Sequence, residues 1–223
     1  MHSSAQQPHE LIRGDSRFGE YERLLAGWPG LVSGPPLPLI EDSLVLLAHL
    51  QGARRLVDVG SGGGMPGIPL KLACPELQVT LLEADRRKAG FLLHAAARLG
   101  LEVQVVAERA ESAGRGALRE RFDVAVCRAL AAPPVLLELC LPLVRVGGRV
   151  LAMRAGGSGE PGTEASPDLP AVAATLGGGR PEAVPAPSPA RDRGSILVVP
   201  KLAPTPEAYP RRPGQPNRRP LAR

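Results

Sequence analysis

Residues 58–69 read Asp58-Val59-Gly60-Ser61-Gly62-Gly63-Gly64-Met65-Pro66-Gly67-Ile68-Pro69. Just before the glycines, Leu56-Val57-Asp58-Val59 has the length and apolar character of a short buried strand. Just after them, residues 68–74 read as a short helix, with Pro69 tolerated in its first turn. Strand, glycine-rich turn and helix in succession open an α/β sheet. Glycine permits positive φ and close approach of the backbone to a ligand. The amides of such a loop, with a helix start behind them, can receive an anionic group. Ligands of open α/β sheets sit outside the carboxyl ends of the strands, where this loop lies.

The alternation continues downstream. Residues 78–83 form a second strand, and Asp85 can cap a helix through Phe91, Leu92, Leu93 and Ala96 that Gly100 stops. Residues 102–107 and 122–127 are the third and fourth strands. Pro133 opens a helix that ends before Gly147-Gly148, and residues 149–154 are the fifth strand. Beyond them come one helix near 169–176, a weak strand at 182–185 and a clear strand at 195–199. The expected fold is α/β and Rossmann-like, a mostly parallel seven-stranded sheet with helices on both faces.

Outside this body the pattern is weaker. Residues 1–17 are polar and aperiodic and are expected to be disordered. Residues 18–54 are a helical extension with helices at 18–27 and 41–50, the second capped by Asp42 or Ser43. Between those helices, Trp28-Pro29-Gly30 and Pro35-Pro36-Leu37-Pro38 read as irregular chain. Residues 55–200 are the α/β domain, and 201–223 an unstructured tail rich in Pro and Arg.

Composition bounds the function. A chain of 223 residues suits one α/β domain with short extensions. Aromatics are 3%, so Leu, Val and Ala must fill the core. No apolar run is long enough for a membrane helix, and Met1 to Pro8 lack the pattern of a signal peptide; the expected compartment is the cytoplasm. Cys74, Cys127 and Cys140 form no CxxC pair, and the histidines show no ligand spacing, so neither a metal site nor a disulfide framework is expected. The net charge of +5 resides in the tail, where Lys201, Arg211, Arg212, Arg218, Arg219 and Arg223 face only Glu207. A bias toward Arg explains the scarcity of Lys but not this clustering, which suggests an anionic polymer partner.

Two ligands fit the glycine loop. Gly62-x-Gly64-x-x-Gly67 has the spacing of a dinucleotide loop, and the loop equally suits the methionine portion of S-adenosylmethionine. Both ligands want an acid after the second strand for ribose hydroxyls, and Glu83 supplies it. Three features tilt the choice toward the methyl donor: Asp58 inside the first strand, Arg109-Ala110-Glu111 after the third, and Leu141-Pro142-Leu143-Val144 with Gly147-Gly148 before the fifth. An NAD(P)-dependent reductase, a small-molecule or protein methyltransferase and a non-catalytic RNA-binding protein are the competing readings.

The segment 56–154 resembles the RsmG (GidB) family of bacterial 16S rRNA guanine-N7 methyltransferases. The resemblance rests on the Gly-Met-Pro-Gly-Ile-Pro loop at 64–69, Leu81-Leu82-Glu83-Ala84-Asp85, Arg109-Ala110-Glu111 and Cys127-Arg128-Ala129-Leu130-Ala131. It extends to the tail in Tyr209-Pro210-Arg211-Arg212-Pro213-Gly214. It implies a class I methyltransferase fold and S-adenosylmethionine as cofactor. It also implies donor contacts at Gly60, Met65, Ala110, Glu111 and Arg128, with Glu83 on the ribose. Met65 equally suits a core-filling role, and Arg128 could instead pair with Asp123 or Glu111. The implied partner is 16S rRNA or the small subunit, met by a monomer. No side chain is assigned as a catalytic base, because N7 of guanine carries a lone pair. Orientation, with Arg128 as the candidate contributor, carries the reaction. The N-terminal region departs from the family, with Pro29 after Trp28 where the family has Asn and Leu39 where it has His, and after the fifth strand Arg154 replaces its Lys.

Overall fold

The computed structural model describes residues 8–155 and 168–221. The chain begins with α1 (Pro8–Gly14), α2 (Arg17–Ala26) and α3 (Pro36–Ser43), followed by a 3-10 turn at Leu44–His49. Then β1 (Arg55–Val59), α4 (Gly67–Ala73), β2 (Gln78–Leu82), α5 (Arg86–Leu99), β3 (Val103–Val106), α6 (Ala110–Ala113) and β4 (Phe122–Arg128) alternate. After α7 (Pro133–Cys140) come β5 (Val144–Arg154), α8 (Leu169–Thr175), β6 (Glu182–Pro185), β7 (Ser195–Pro200) and α9 (Gln215–Arg218). The strands form one seven-stranded sheet in the order β3-β2-β1-β4-β5-β7-β6. The first five are parallel and β7 runs antiparallel between β5 and β6. This is the mostly parallel Rossmann-like sheet expected from the sequence.

Strand alternation divides the core in two. Leu56, Val124, Val126 and Leu151 face one side, where α2 to α5 pack; Val57, Val59, Ala125 and Val150 face the other, with α7, α8 and the tail. Helix α5 has the ends the sequence predicts. The Asp85 carboxylate accepts from the amides of Arg87 (2.8 Å) and Lys88 (3.1 Å), and Gly100 adopts φ 62° after the last turn.

Four expectations are corrected. Within residues 1–17, the stretch expected to be disordered contains α1, because His9 pairs with Glu41 at 3.0 Å and Ile12 packs on the core; positions 1–7 lie outside the described residues. The second N-terminal helix starts at Pro36, not at 41. Prolines in a first turn lack only amides that have no intrahelical partner, so the Pro-rich stretch enters the helix instead of separating it. Asp42 and Ser43 therefore sit at its end and cap nothing. Strand β5 starts at Val144, and Gly147, at φ 85°, lies inside it where the register against β4 shifts.

The fourth correction concerns the tail, which is part of the fold. Lys201 is fully buried; its ammonium donates to the carbonyls of Leu141 (2.9 Å) and Leu176 (3.3 Å) and to the Thr205 hydroxyl, and lies 3.4 Å from Glu120. Arg119 donates to the carbonyls of Thr205 (2.5 Å) and Tyr209 (2.8 Å). Arg211 holds the buried Glu138 carboxylate in a two-pronged pair, with contacts of 2.8 and 2.5 Å. Composition could not reveal this, since the acids and carbonyls that order the tail lie far upstream.

Lys201→Ala would empty a fully buried position and take the ammonium away from the carbonyls of Leu141 and Leu176 and from Glu120. It is expected to cost about 3 kcal/mol in urea unfolding, while Arg212→Ala, on the exposed side of the tail, stays within about 0.5 kcal/mol. Equal effects from the two would show that the tail is not anchored through Lys201.

Candidate functional site

The glycine loop is tied down from three sides. Below it, the Asp58 carboxylate accepts from the Gly67 amide at 2.9 Å. Beside it, Glu83 accepts from the amides of Gly62 (2.8 Å) and Asp85 (2.9 Å), joining the loop to the end of β2. Above it, the Tyr21 hydroxyl of α2 donates to the Gly63 carbonyl at 2.6 Å. The loop conformation requires glycine at two positions in particular. Gly60 has φ 71°, and a Cβ there would meet Leu130 Cδ1 at 2.6 Å. Gly64 has φ 92°, and a Cβ there would collide with the Ile68 side chain and stand 3.1 Å from the Tyr21 hydroxyl.

Gly60 separates two cavities at the carboxyl ends of the strands. One, of about 300 Å³, is lined by Leu31, Val32, Met65, Lys88, Arg128 and the glycines. The other, of about 180 Å³, is lined by Glu83, Ala110, Glu111, Leu130 and Asn217. The structure thus brings the six residues singled out in the sequence to one place. Gly60 lies between the cavities, Met65 and Arg128 on one side, and Glu83, Ala110 and Glu111 on the other. Met65 also belongs to the buried core. A larger cavity of about 570 Å³ opens among Arg55, Lys71, Gln78 and Phe122, at the amino ends of the strands. It has no glycine loop and lies at the end of the sheet where ligands of this fold do not bind.

Arg128 pairs with neither Asp123 nor Glu111. It lies 3.7 Å from Asp42 and donates to the Leu39 carbonyl at 3.4 Å. Asp123 instead takes Arg145 at 2.6 Å, and Glu111 takes Arg109 at 3.0 Å. Asp42 is fully buried and is claimed mainly by Arg191 (2.8 and 2.9 Å) and Ser188 (2.5 Å), so the Arg128 guanidinium keeps donors for the cavity that it lines. The next residue, Ala129, is held at φ 50°, a conformation few non-glycine residues adopt. Burial alone would raise the Glu111 carboxyl, but hydrogen bonds from Arg109 and from the Gly214 amide (2.8 Å) hold it below its ordinary value.

The lining fits S-adenosylmethionine better than a dinucleotide. Glu83 spends two acceptor positions on amides and keeps others for a ribose diol. It also occupies the Gly62 amide that a pyrophosphate would need, and its charge opposes a second anion in the loop while favouring a sulfonium cation. Arg128 offers a cation for a carboxylate across Gly60 from the ribose acid. Among the described residues, no group of three or more His, Cys, Asp or Glu side chains is arranged to hold a metal, and no helix is long and apolar enough to cross a membrane.

Four residues of the site escaped the sequence reading. Tyr21 shows only as an apolar position in the Phe18, Tyr21, Leu25 stripe; nothing local says that its hydroxyl reaches Gly63. Asp42 reads as a helix cap and Asn217 as tail, and Lys88 carries no mark beyond its place in the helix after β2.

The chain matches the rRNA small subunit methyltransferase G (GidB) family over residues 38–166. It is 42% identical to the ribosomal RNA small subunit methyltransferase G of Rubrobacter xylanophilus, covering 92% of this chain and 83% of that one. It is equally 42% identical to that of Staphylococcus epidermidis, covering 92% and 89%. Among solved structures, an O-methyltransferase of Bacillus cereus in complex with SAH superposes with a TM-score of 0.57 at 21% identity, covering 84% of this chain and 91% of that one. A T. thermophilus 16S rRNA methyltransferase in complex with AdoMet and guanosine gives 0.51 at 17% identity, covering 74% of this chain and 39% of that one. At these identities the structural likeness speaks for the fold.

Asp58 makes the site's electrostatics measurable. It is fully buried, and its Oδ1 has no hydrogen-bond partner among the described residues. Burial pushes its carboxyl up to about 7; the Gly67 amide opposes this and the Glu83 carboxylate adds to it. The folded state therefore holds this proton between about pH 4 and pH 7 while the unfolded chain has lost it. Stability from this group falls as pH rises through that window, by at most about 1.4 kcal/mol per pH unit. Against Asp58→Asn, the wild type is expected to lose ground steadily from pH 5 to pH 7 in thermal melts and then level off. A pH-independent difference would contradict the assignment.

Proposed function

The chain belongs to the rRNA small subunit methyltransferase G family, and we propose that it transfers a methyl group from S-adenosylmethionine to N7 of a guanosine in 16S rRNA. The observation that supports this reading is the division of the site at Gly60, with the ribose acid Glu83 on one side and the cation Arg128 on the other.

Each side chain then has a task. The free acceptor positions of Glu83 hold the ribose hydroxyls, and the backbone of Ala110 and Glu111 runs along the adenine. Arg128 holds the methionine carboxylate, and Met65 packs on the apolar part of the donor. Leu31, Val32 and Leu39 wall the same cavity from the N-terminal extension and exclude water from the space left for the acceptor base. S-adenosylmethionine supplies an electrophilic methyl group when bound. The N7 lone pair would attack that methyl as its bond to sulfur breaks and S-adenosylhomocysteine leaves, so the chain need remove no proton in the transfer step. Its contribution is alignment, which lowers barriers by roughly 7–11 kcal/mol in well-oriented systems. N7 lies on the major-groove edge, closed to side chains in an A-form helix, so the target guanosine lies in a loop or an opened segment. One chain lines both cavities, and we assign the reaction to a monomer in the cytoplasm.

The test is to incubate the protein with methyl-labelled S-adenosylmethionine and small-subunit rRNA from a strain lacking this activity, then to digest to nucleosides. Label is expected in 7-methylguanosine, and Arg128→Ala is expected to lower kcat/KM about 100-fold, equivalent to roughly 2.7 kcal/mol. Label in any other nucleoside would reject N7 as the acceptor.

A further inference from the structure

The C-terminal segment contributes a wall to the smaller cavity. Asn217 of α9 lines it together with Glu83, Ala84, Ala110 and Glu111, although it lies more than 100 residues from the last of these in sequence. Several independent contacts hold the segment there. The Gly214 amide donates to Glu111 Oε1 at 2.8 Å, so the acid at the start of α6 is shared between the cavity and the tail. Arg211 is clamped by Glu138, Arg115 donates to the Pro210 carbonyl at 2.5 Å, and Pro216 is buried. The wall is thus held by contacts within the chain itself.

Asn217 itself is not used by the fold. Its side chain is exposed and makes no hydrogen bond to other described residues. An amide presents one acceptor and a donor pair side by side, the complement of the 6-amino group and adjacent ring nitrogen of adenine. No other side chain of the cavity offers such a pair: Leu130 and Leu139 are apolar, Glu83 is engaged with loop amides and Glu111 with Arg109 and Gly214, while the Glu108 carboxylate only accepts and the Arg109 guanidinium only donates.

We propose that the tail is part of the donor site and that Asn217 reads the adenine edge of S-adenosylmethionine, making it a specificity-determining residue. This rests on the methyltransferase reading above. In the bound state, the Asn217 amide oxygen accepts from the 6-amino group and the amide nitrogen donates to the ring nitrogen beside it.

The test compares two ligands by titration calorimetry, S-adenosylhomocysteine and its analogue with unsubstituted purine in place of adenine, on the wild type and on Asn217→Ala. The wild type is expected to prefer the adenine ligand by about tenfold or more, and Asn217→Ala to bind the two alike with an unchanged melting temperature. A purely structural role of Asn217 would weaken both ligands equally, so a preference ratio that survives the substitution overturns the assignment. Failure of the wild type to bind S-adenosylhomocysteine would overturn the donor site itself, and this assignment with it.

Discussion

The glycine loop holds its shape because carboxylates and a phenol pin its peptide groups. Glu83 takes the Gly62 amide, Asp58 takes the Gly67 amide, and Tyr21 gives its proton to the Gly63 carbonyl. These bonds come from β2, β1 and the N-terminal extension respectively, so the loop is the point where three parts of the molecule meet. Hydrogen bonds to charged groups contribute more than neutral ones, and the Glu83 bond acts on the run Gly62-Gly63-Gly64, which has no side chains to pack. The division of the site at Gly60 follows. The loop stands at a height fixed by Glu83, and Leu130 fills the space that a side chain on Gly60 would need.

Around this centre, the terminal segments are fastened by charges withdrawn from water. Asp42 in the N-terminal extension is held by Arg191 from beyond α8, and Glu138 in α7 by Arg211 from the tail. Buried ion pairs add little net stability, because desolvation offsets their attraction, but removing one partner is costly. Their effect here is to fix position. Asp42 keeps α3 beside Arg128, and Arg211 keeps α9 beside the cavity of Glu83 and Glu111. Both terminal segments therefore serve the site and not merely the periphery of the sheet.

What the sequence reveals is what local physics decides. The strand Leu56-Val57-Asp58-Val59, the glycine loop, the Asp85 cap and the Gly100 stop are each legible because the decisive interaction lies within a few residues. The helix start at Pro36 is hidden in the sequence because a run of prolines reads as a break, although its members tolerate a first turn. The tail is illegible for a different reason. Lys201 and Arg211 look like solvated residues until the partners that surround them, brought in from Leu141 and Glu138, are known. The candidate donor residues were legible through the family motif, whereas Tyr21 and Asp42, which act on the site through backbone and charge, carried no local mark.

The most direct measurement is a crystal structure of the protein with S-adenosylhomocysteine. The ligand is expected to straddle Gly60, with its base beside Ala110 and Glu111, its ribose on Glu83 and its carboxylate toward Arg128. A ligand lying wholly on one side of Gly60, or seated in the cavity at the amino ends of the strands beside Arg55 and Lys71, would contradict the divided site on which the functional reading depends.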